Sequence, residues 1–203
     1  MRRFVDCFRS LDEIPQGYGP TAVTIGNFDG VHRGHARVIR TVVAEAHSDG
    51  LKAVAISFDP HPALVHRPDV PHFPIMGLRD SLDLLDELGL DALALLPYSL
   101  DFAQETPEDF VRTTFVEGLG AKKVVIGADV RFGRNNSGDL DTMKQLGEEH
   151  GFEVAVVEDL STDNDLTELD AKDEHRRCSS TWIRELLASG DVDSAAHLLG
   201  RYH

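Results

Sequence analysis

Cysteine is nearly absent from this chain of 203 residues, in which only Cys7 and Cys178 carry a thiol. Two distant cysteines without a local ligand pattern indicate neither a disulfide framework nor a metal–thiolate site, so both are expected to be free thiols. Long apolar runs are missing as well, because no stretch approaches the length of a membrane span. Asp6 also interrupts any signal-peptide core near the basic start of the chain. We therefore expect a cytoplasmic protein that does not enter a membrane.

Positive charge is scarce. The chain has 20 Lys and Arg against 35 Asp and Glu, which gives a formal net charge of −15. This excess argues against nonspecific binding to nucleic acid or to an anionic membrane. An anionic substrate would have to be captured by a local positive site against the overall field of the protein.

The segment Thr24–His35, which reads TIGNFDGVHRGH, holds the most informative motif. A short β-branched apolar run leads into a turn with Gly26, Gly30 and Gly34, and two histidines then open a helical pattern. Such a turn directs backbone N–H groups and the positive end of a helix at one point, which is typical of a phosphate site. His32 and His35 are three residues apart, share a helix face and are expected to reach the same phosphate.

Strand-like and helix-like segments alternate along the chain. The predicted strands are 22–25, 52–58, 92–96, 124–127 and 152–157, and the predicted helices are 36–46, 78–88, 106–117, 140–150, 182–188 and 192–199. This alternation predicts an α/β fold with a doubly wound, Rossmann-like parallel sheet and helices on both faces. In such sheets ligands bind beyond the carboxyl ends of the strands. The loops 27–35, 59–66 and 129–133 each follow a strand and are expected to converge there.

A second phosphate element is predicted at residues 179–184, which read SSTWIR. Three hydroxyl groups and several free N–H groups at a helix start can surround an anion. Arg184, one helical turn further on, offers a fork of donors to a phosphate. A Ser-Ser-Thr helix start is common by itself, so the prediction depends on its pairing with the first motif.

Several motifs occur together in one order and carry a family resemblance. They are VTIGNFDGVHRGH (23–35), FDPHP (58–62), VVIGADVRFG (124–133), SSTWIR (179–184), and GDV (190–192) with LGR (199–201). With them the chain closely resembles the FMN adenylyltransferase module of bacterial FAD synthetases, which usually continues into a C-terminal riboflavin kinase. The resemblance implies a nucleotidyltransferase-type fold and transfer of AMP from MgATP to FMN, giving FAD and pyrophosphate. We expect residues 1–203 to form a single such domain without a riboflavin kinase domain or kinase activity.

The resemblance also implies roles for individual residues. The catalytic residues would be His32, His35 and Arg184. The ATP pocket would be formed by Gly26, Asn27, Phe28, Asp29 and Gly34, together with Ser179, Ser180 and Thr181 around the departing phosphates. The flavin side would be lined by Pro60, Pro62, Asp129 and Phe132. Mg²⁺ would arrive with ATP, and no metal held by the protein itself is expected.

The chemistry agrees with these residue types. A phosphate monoester has a second pKa of about 6, so the FMN phosphate is an anionic nucleophile near neutral pH and needs no general base. The enzyme has to align that oxygen with the α-phosphorus and neutralise charge on the departing pyrophosphate. A histidine beside a triphosphate should have a raised pKa, so we expect His32 or His35 to donate hydrogen bonds rather than to remove protons.

Some positions depart from the family pattern or allow another interpretation. His66, Val130, Ala128 and Cys178 stand where relatives often have an aromatic residue, Phe, Glu and an aliphatic residue, respectively. Residues 159–177 are strongly acidic and are predicted to form a flexible loop. Asp129 contributes to Mg²⁺ or flavin binding, or simply caps a turn; Phe132 stacks on the flavin or fills the core. His61, His66 and His72 match no standard zinc spacing.

Two other functions remain open at this point. A related transferase could use another acceptor, such as nicotinate mononucleotide or phosphopantetheine, and a regulator could bind flavin or nucleotide without catalysis. The motifs 58–62 and 127–133 favour FMN among the acceptors. His32, His35, Ser180 and Arg184 are all present, which argues against lost catalysis.

Overall fold

The structure of the chain is a computed structural model that describes residues 4–161 and 176–203. Within these ranges it has six strands: β1 (Asp6–Phe8), β2 (Thr21–Ile25), β3 (Lys52–Asp59), β4 (Ala92–Pro97), β5 (Ala121–Gly127) and β6 (Glu153–Val157). The helices of the same ranges are α1 (Arg33–Ser48), α2 (Pro62–His66), α3 (Leu78–Glu87), α4 (Pro107–Phe110), α5 (Leu140–His150), α6 (Ser180–Ser189) and α7 (Val192–Leu199). A π-helical stretch, Val111–Gly118, continues directly from α4.

The six strands form one parallel sheet in the order β1-β4-β3-β2-β5-β6. From β2 the chain moves to one side through β3 and β4 and then crosses to β5 on the other side of β2. The loops that leave β2 and β5 therefore diverge, and a crevice opens beyond the carboxyl ends of the central strands. The predicted doubly wound parallel α/β sheet is confirmed.

Alternating residues of the central strands supply a hydrophobic core on each face of the sheet. In β3, Ala53 and Ala55 face a cluster that contains Ile39 and Val42 of α1. Val54 and Ile56, the residues between and beyond them, face the opposite cluster, which contains Phe110, Phe115 and Met143. A strand buried on both faces has an almost continuous apolar sequence, and this is the pattern from which β3 was predicted.

A third hydrophobic cluster holds the two C-terminal helices over the carboxyl ends of the strands. Trp182 and Ile183 of α6 and Leu198 of α7 are fully buried there, together with Ile75 and Cys178. Because these side chains pack beside the loop after β2, the start of α6 lies next to the start of α1. The fold thus brings the β2–α1 loop and the C-terminal helices together.

One strand and one α-helix, β1 and α2, were not predicted from the sequence. β1 has only three residues, too few for a periodic pattern, and it forms because β4 offers a free edge in parallel register. α2 lies inside the predicted 59–77 loop, where Pro62 takes the first helical position and the ring of His61 accepts a hydrogen bond from the Ala63 N–H.

The boundaries of β5 and the acidic segment also bear on the predictions. β5 begins three residues before the predicted strand, because Lys123 is buried with its amine 2.7 Å from both the Glu45 and Asp49 carboxylates.

In the predicted flexible loop 159–177, residues 162–175 lie outside the described part of the chain. None of the helices in 4–161 and 176–203 combines the length and apolar character needed to cross a bilayer.

Candidate active site

The loop between β2 and α1 forms the floor of the candidate site. His32 is the N-cap residue of α1, and its Nδ1 accepts a hydrogen bond of 3.2 Å from the His35 N–H. A side chain at Gly34 would meet the His32 ring at 3.1 Å, so glycine lets the imidazole lie across the first turn of the helix. A side chain at Gly26 would similarly meet the Phe28 ring at 3.2 Å. The two glycines therefore leave room for two rings that shape the loop.

The predicted histidine pair forms a stacked unit. The His32 and His35 rings lie 3.6 Å apart at 20° to each other, and Phe28 packs edge-on against His35. Because Nδ1 of His32 accepts the His35 N–H, a neutral His32 carries its proton on Nε2 and can donate from there. The Nδ1 atom of His35 is buried and has no hydrogen-bond partner among the described residues. The pair thus combines one donor of known position with one nitrogen that lacks a partner.

The electrostatics of the pair differ from the expectation for the nucleotide complex. Burial lowers the pKa of His32 to about 4, and the cations of Arg177 and Arg201 act in the same direction. The pKa of His35 also lies well below its ordinary value, first because of burial and then because of His32. The raised pKa expected from the sequence requires a bound triphosphate. Without one, both imidazoles are neutral at pH 7.

The start of α6 is joined to this loop by hydrogen bonds and an ion pair. Ser179 is the N-cap residue and its hydroxyl accepts the Trp182 N–H, while the Ser180 hydroxyl donates to the Asp29 carbonyl at 2.8 Å. The Arg184 guanidinium pairs with the Asp29 carboxylate, which also accepts the Ile75 N–H at 2.9 Å. The two predicted phosphate elements therefore face each other across Asp29.

Arg184 makes more contacts within the protein than the sequence predicted. Besides Asp29, its Nη2 lies 3.1 Å from Nε2 of His72, and its Nε donates to the Phe73 carbonyl at 2.8 Å. Nη1 has no hydrogen bond to a described residue. An incoming phosphate would therefore meet Nη1 of a guanidinium that other residues already orient, rather than two donor nitrogens that are both available.

A cavity of about 540 Å³ lies between the two helix starts. Of the residues assigned from the sequence, five line it: Asn27, His35, Ser180, Thr181 and Arg184. Gly26, Phe28, Asp29, His32, Gly34 and Ser179 support these residues from the surrounding loop and helix starts rather than lining the cavity. We name this space the polar cavity.

A second cavity of about 160 Å³ shares Asn27 with the polar cavity and continues along the carboxyl edge of the sheet. Pro62 and Phe132 line it, as the flavin-side assignment requires, together with Phe58, Tyr98, Phe102 and Phe110. Phe132 is buried and belongs to the core cluster of that face, so it fills the core and also lines this cavity. We name this space the aromatic cavity.

Two other assigned residues lie outside the aromatic cavity. Asp129 is exposed and pairs with Arg177, which also lies 3.2 Å from the Asp159 carboxylate. Pro60 is exposed as well and lines neither cavity. The strand-end position of Asp129 suggested a ligand contact, but the adjacent ends of β5 and β6 bring a carboxylate and Arg177 beside it instead.

A second histidine pair in the polar cavity has no role assigned from the sequence. His61 and His72 stack with ring centroids 4.1 Å apart, and Arg67 lines the same space. Burial, followed by the neighbouring His72 and Arg184, lowers the pKa of His61 to about 4. The sequence assigns them no ligand, because their spacing matches no standard zinc site. One signal could have identified them: they lie in the loop that follows a predicted strand, where ligands of parallel sheets bind.

The four residues that depart from the family pattern differ in what they contact. His66 lies with its Nε2 2.8 Å from the hydroxyl of Tyr98, a residue of the aromatic cavity. Cys178 is buried with its sulfur 3.5 Å from Nδ1 of His32. Ala128 is exposed, and Val130 packs at the margin of the core. His66 and Cys178 therefore contact the two ends of the site directly.

A bound divalent cation would depend on its nucleotide. The part of the chain that the structure describes has no group of three or more His, Cys, Asp or Glu side chains placed to hold a metal ion. Asp29, the carboxylate beside the polar cavity, is already bonded to Arg184 and to the Ile75 N–H. These residues fit a cation held mainly by phosphate oxygens, as Mg²⁺ usually is.

Comparisons with known proteins show which proteins the chain is similar to. A family model described as FAD synthetase matches residues 15–168. The bifunctional riboflavin kinase/FMN adenylyltransferase of Escherichia coli (strain K12) is 30% identical over 191 residues, which cover 94% of this chain and 57% of that protein. The protein of the same description from Haemophilus influenzae is 33% identical over 180 residues, covering 89% and 55%. The chain thus spans little more than half the length of the curated relatives it matches.

One solved structure is similar over almost the whole chain. A crystal structure described as that of a macrolide-efflux protein from Streptococcus pneumoniae superposes with a TM-score of 0.79 at 26% identity. The match covers 97% of this chain and 61% of the other. The arrangement of strands and helices described above therefore occurs in a related protein.

Proposed function

The chain belongs to the FAD synthetase family, and we propose that it transfers the AMP moiety of MgATP to the phosphate of FMN, giving FAD and pyrophosphate. The observation that carries the proposal is the junction at Asn27. There, a polar cavity lined by two helix starts meets a cavity lined by aromatic rings. A triphosphate suits the first cavity and an isoalloxazine ring suits the second, so the FMN phosphate would meet the α-phosphorus between them.

The residues of the polar cavity would act by position and charge. The start of α6 would direct backbone N–H groups at the phosphates, and Thr181 and the Nη1 atom of Arg184 would add side-chain donors. The ring of His35, which lines the cavity, would donate to oxygens on which charge grows during transfer, and the His32 ring stacked on it would hold it in place. Mg²⁺, when bound with ATP, supplies further neutralisation of the triphosphate.

No residue has to remove a proton in this reaction. The FMN phosphate oxygen forms the new bond to the α-phosphorus, and the bond to the β-phosphate oxygen breaks with pyrophosphate as the leaving group. Neutral imidazoles with low pKa values donate through N–H and are poor proton acceptors near pH 7. The negative charge of a bound triphosphate would raise both pKa values and strengthen these hydrogen bonds.

Among possible acceptors, the aromatic cavity favours FMN. Phe58, Tyr98, Phe102, Phe110 and Phe132 surround it, and flat aromatic ligands gain stacking and edge contacts from such rings. Phosphopantetheine has no ring to place there, and the single pyridine ring of nicotinate mononucleotide would leave much of it unfilled. We propose a single nucleotidyltransferase unit with small-molecule substrates, working in the cytoplasm where ATP is present.

The test is FMN-dependent release of pyrophosphate from MgATP, with FAD identified by chromatography. We expect His35→Ala to lower kcat by about a hundredfold to a thousandfold, the usual loss of a donor to developing charge. His47→Ala, an exposed histidine of the same helix, is the matched control and should keep full activity. Release with nicotinate mononucleotide or phosphopantetheine instead of FMN would support the other acceptors, and FMN binding without turnover would support a regulator.

A further inference from the structure

The segment that follows α7 contacts the β2–α1 loop far from it in sequence. Arg201 Nη1 donates to the carbonyls of Val31 and Leu199, each at 3.1 Å. Its Nη2 donates to the Gly30 carbonyl and lies 3.5 Å from the sulfur of Met76. One guanidinium therefore binds two consecutive carbonyls of the loop that leads to His32.

The loop needs such support because its backbone is strained at this point. Val31 has a φ of +37°, a value that β-branched residues adopt rarely and at a cost in energy. Gly30 precedes it with a φ of +82°, and a side chain there would meet Ile75 at 3.0 Å. Without an external partner, these two residues would relax and the N-cap position of His32 would move with them.

We propose that Arg201 is a positioning residue for adenylyl transfer: by binding the Gly30 and Val31 carbonyls it holds His32, and through the stacked His32 ring it holds His35 in the wall of the polar cavity. The proposal rests on the proposed function, because it is the reaction that requires the histidines there. Arg201 lines neither the polar nor the aromatic cavity, so it acts through the loop and not on the substrates.

The geometry requires arginine at this position. The planar guanidinium presents two nitrogens that reach three carbonyls and a sulfur at once, whereas a lysine amine is a single point donor. Arg201 also contributes to the low pKa of His32, next to burial and Arg177. The other groups that face the His32 ring are His35 and the thiol of Cys178.

The experiment compares Arg201→Lys and Arg201→Ala with Arg40→Lys, a matched change at an exposed arginine of α1. Steady-state kinetics give kcat and the KM values for ATP and FMN. Amide hydrogen exchange follows two reporters of the loop, the Val31 N–H bonded to the Phe28 carbonyl and the His35 N–H bonded to His32. Added guanidinium ion, at millimolar concentration, tests chemical rescue of Arg201→Ala.

We expect kcat to fall about tenfold in Arg201→Lys and about a hundredfold in Arg201→Ala, with KM for FMN nearly unchanged, as for misplaced catalytic groups. Exchange at the two reporter amides should accelerate while that of the central strands does not, and guanidinium should restore part of the kcat of Arg201→Ala. Arg40→Lys should match the parent chain in every measurement.

Three results would overturn the proposal: unchanged kcat in both variants, reduced kcat with unchanged exchange at both reporter amides, or a loss in Arg201→Ala that guanidinium does not relieve. Should Arg201→Ala fail to fold, Arg201→Lys decides the question, because it keeps the charge. If the parent chain itself releases no pyrophosphate with FMN, the proposed function fails, and the exchange measurement still decides whether Arg201 holds the loop.

Discussion

The polar cavity and the aromatic cavity share Asn27 but are built in different ways. The polar cavity is assembled from loop and helix starts that are joined by directed bonds, such as Ser180 to the Asp29 carbonyl and Arg184 to its carboxylate. The aromatic cavity is a gap in the hydrophobic core, lined by residues such as Phe110 and Phe132 that also hold the sheet to its helices. The polar end depends on backbone position and the aromatic end on packing.

This difference predicts that mutations at the two ends will have different effects on activity and stability. Changes at the polar end should lower kcat with smaller effects on stability, unless they break a bond that joins the two helix starts. Changes at the aromatic end should lower FMN affinity and stability together, because the same rings line the cavity and pack the hydrophobic core. The predictions below test this separation.

The largest effect is expected from Asp29→Ala, which removes the link between the two helix starts. It leaves the Arg184 guanidinium without its carboxylate and the Ile75 N–H without its acceptor. We expect the free energy of unfolding to fall by about 2–3 kcal/mol and kcat by about a hundredfold. Glu117→Ala, which breaks an exposed pair with Arg112, should cost less than about 1 kcal/mol. Equal losses of stability in urea unfolding would contradict the prediction.

Gly34→Ala should separate activity from stability at the polar end. The added methyl group would meet the His32 ring at 3.1 Å and displace it, although alanine is the better helix former by about 1 kcal/mol. We expect kcat to fall about tenfold to a hundredfold while the unfolding midpoint does not fall. Gly77→Ala, where the nearest atom is 3.6 Å away, is the control. A variant with parental kcat would show that the position of the His32 ring does not matter.

Phe132→Leu tests the aromatic end. The smaller side chain enlarges the aromatic cavity and removes ring contacts, so we expect KM for FMN to rise about tenfold with a loss of about 1 kcal/mol in stability. KM for ATP should stay the same. Phe115→Leu, in the same core cluster but away from the cavity, should lose stability alone. If both variants bind FMN equally well, the flavin does not occupy the aromatic cavity.

The prediction with the smallest effect at neutral pH concerns the pH dependence of stability at the polar end. His32 has a folded pKa of about 4, whereas an unfolded histidine has a pKa of about 6.5. Between these values the unfolded chain binds a proton that the folded chain does not, so stability is full above about pH 6.5 and falls by up to about 1.4 kcal/mol per pH unit toward pH 4.

Urea unfolding at pH 7 and pH 5 measures this loss. His32→Asn replaces the capping Nδ1 with an amide oxygen that can accept the same N–H, and it should make the pH dependence shallower, whereas His47→Asn, at an exposed position, should leave it unchanged. A slope that is the same in His32→Asn and the parent chain would contradict the low pKa of His32.

Much of the fold and the polar end could be predicted because the signals are local. The run into Gly26 and the histidines after it predict a strand, a turn and a helix start within a dozen residues, and the family that this motif indicated is confirmed by the family model. The helices α1 and α6 begin at Arg33 and Ser180, a few residues before the predicted stretches 36–46 and 182–188. β1 and α2 were missed because each is short and is stabilised by a neighbour or a cap rather than by a periodic pattern.

By itself, therefore, the sequence determined most of the strands and helices, the two capped helix starts at α1 and α6, and the family, since hydrophobic periodicity, glycine and capping residues act over a few neighbours. Only the tertiary structure decided how distant side chains meet. Arg184 pairs with Asp29 across 155 positions, Arg201 reaches Gly30 across 171, and Asp129 turns to Arg177 rather than to the aromatic cavity. Such contacts depend on how the helices pack over the sheet, and packing is a property of the whole chain that no local pattern records.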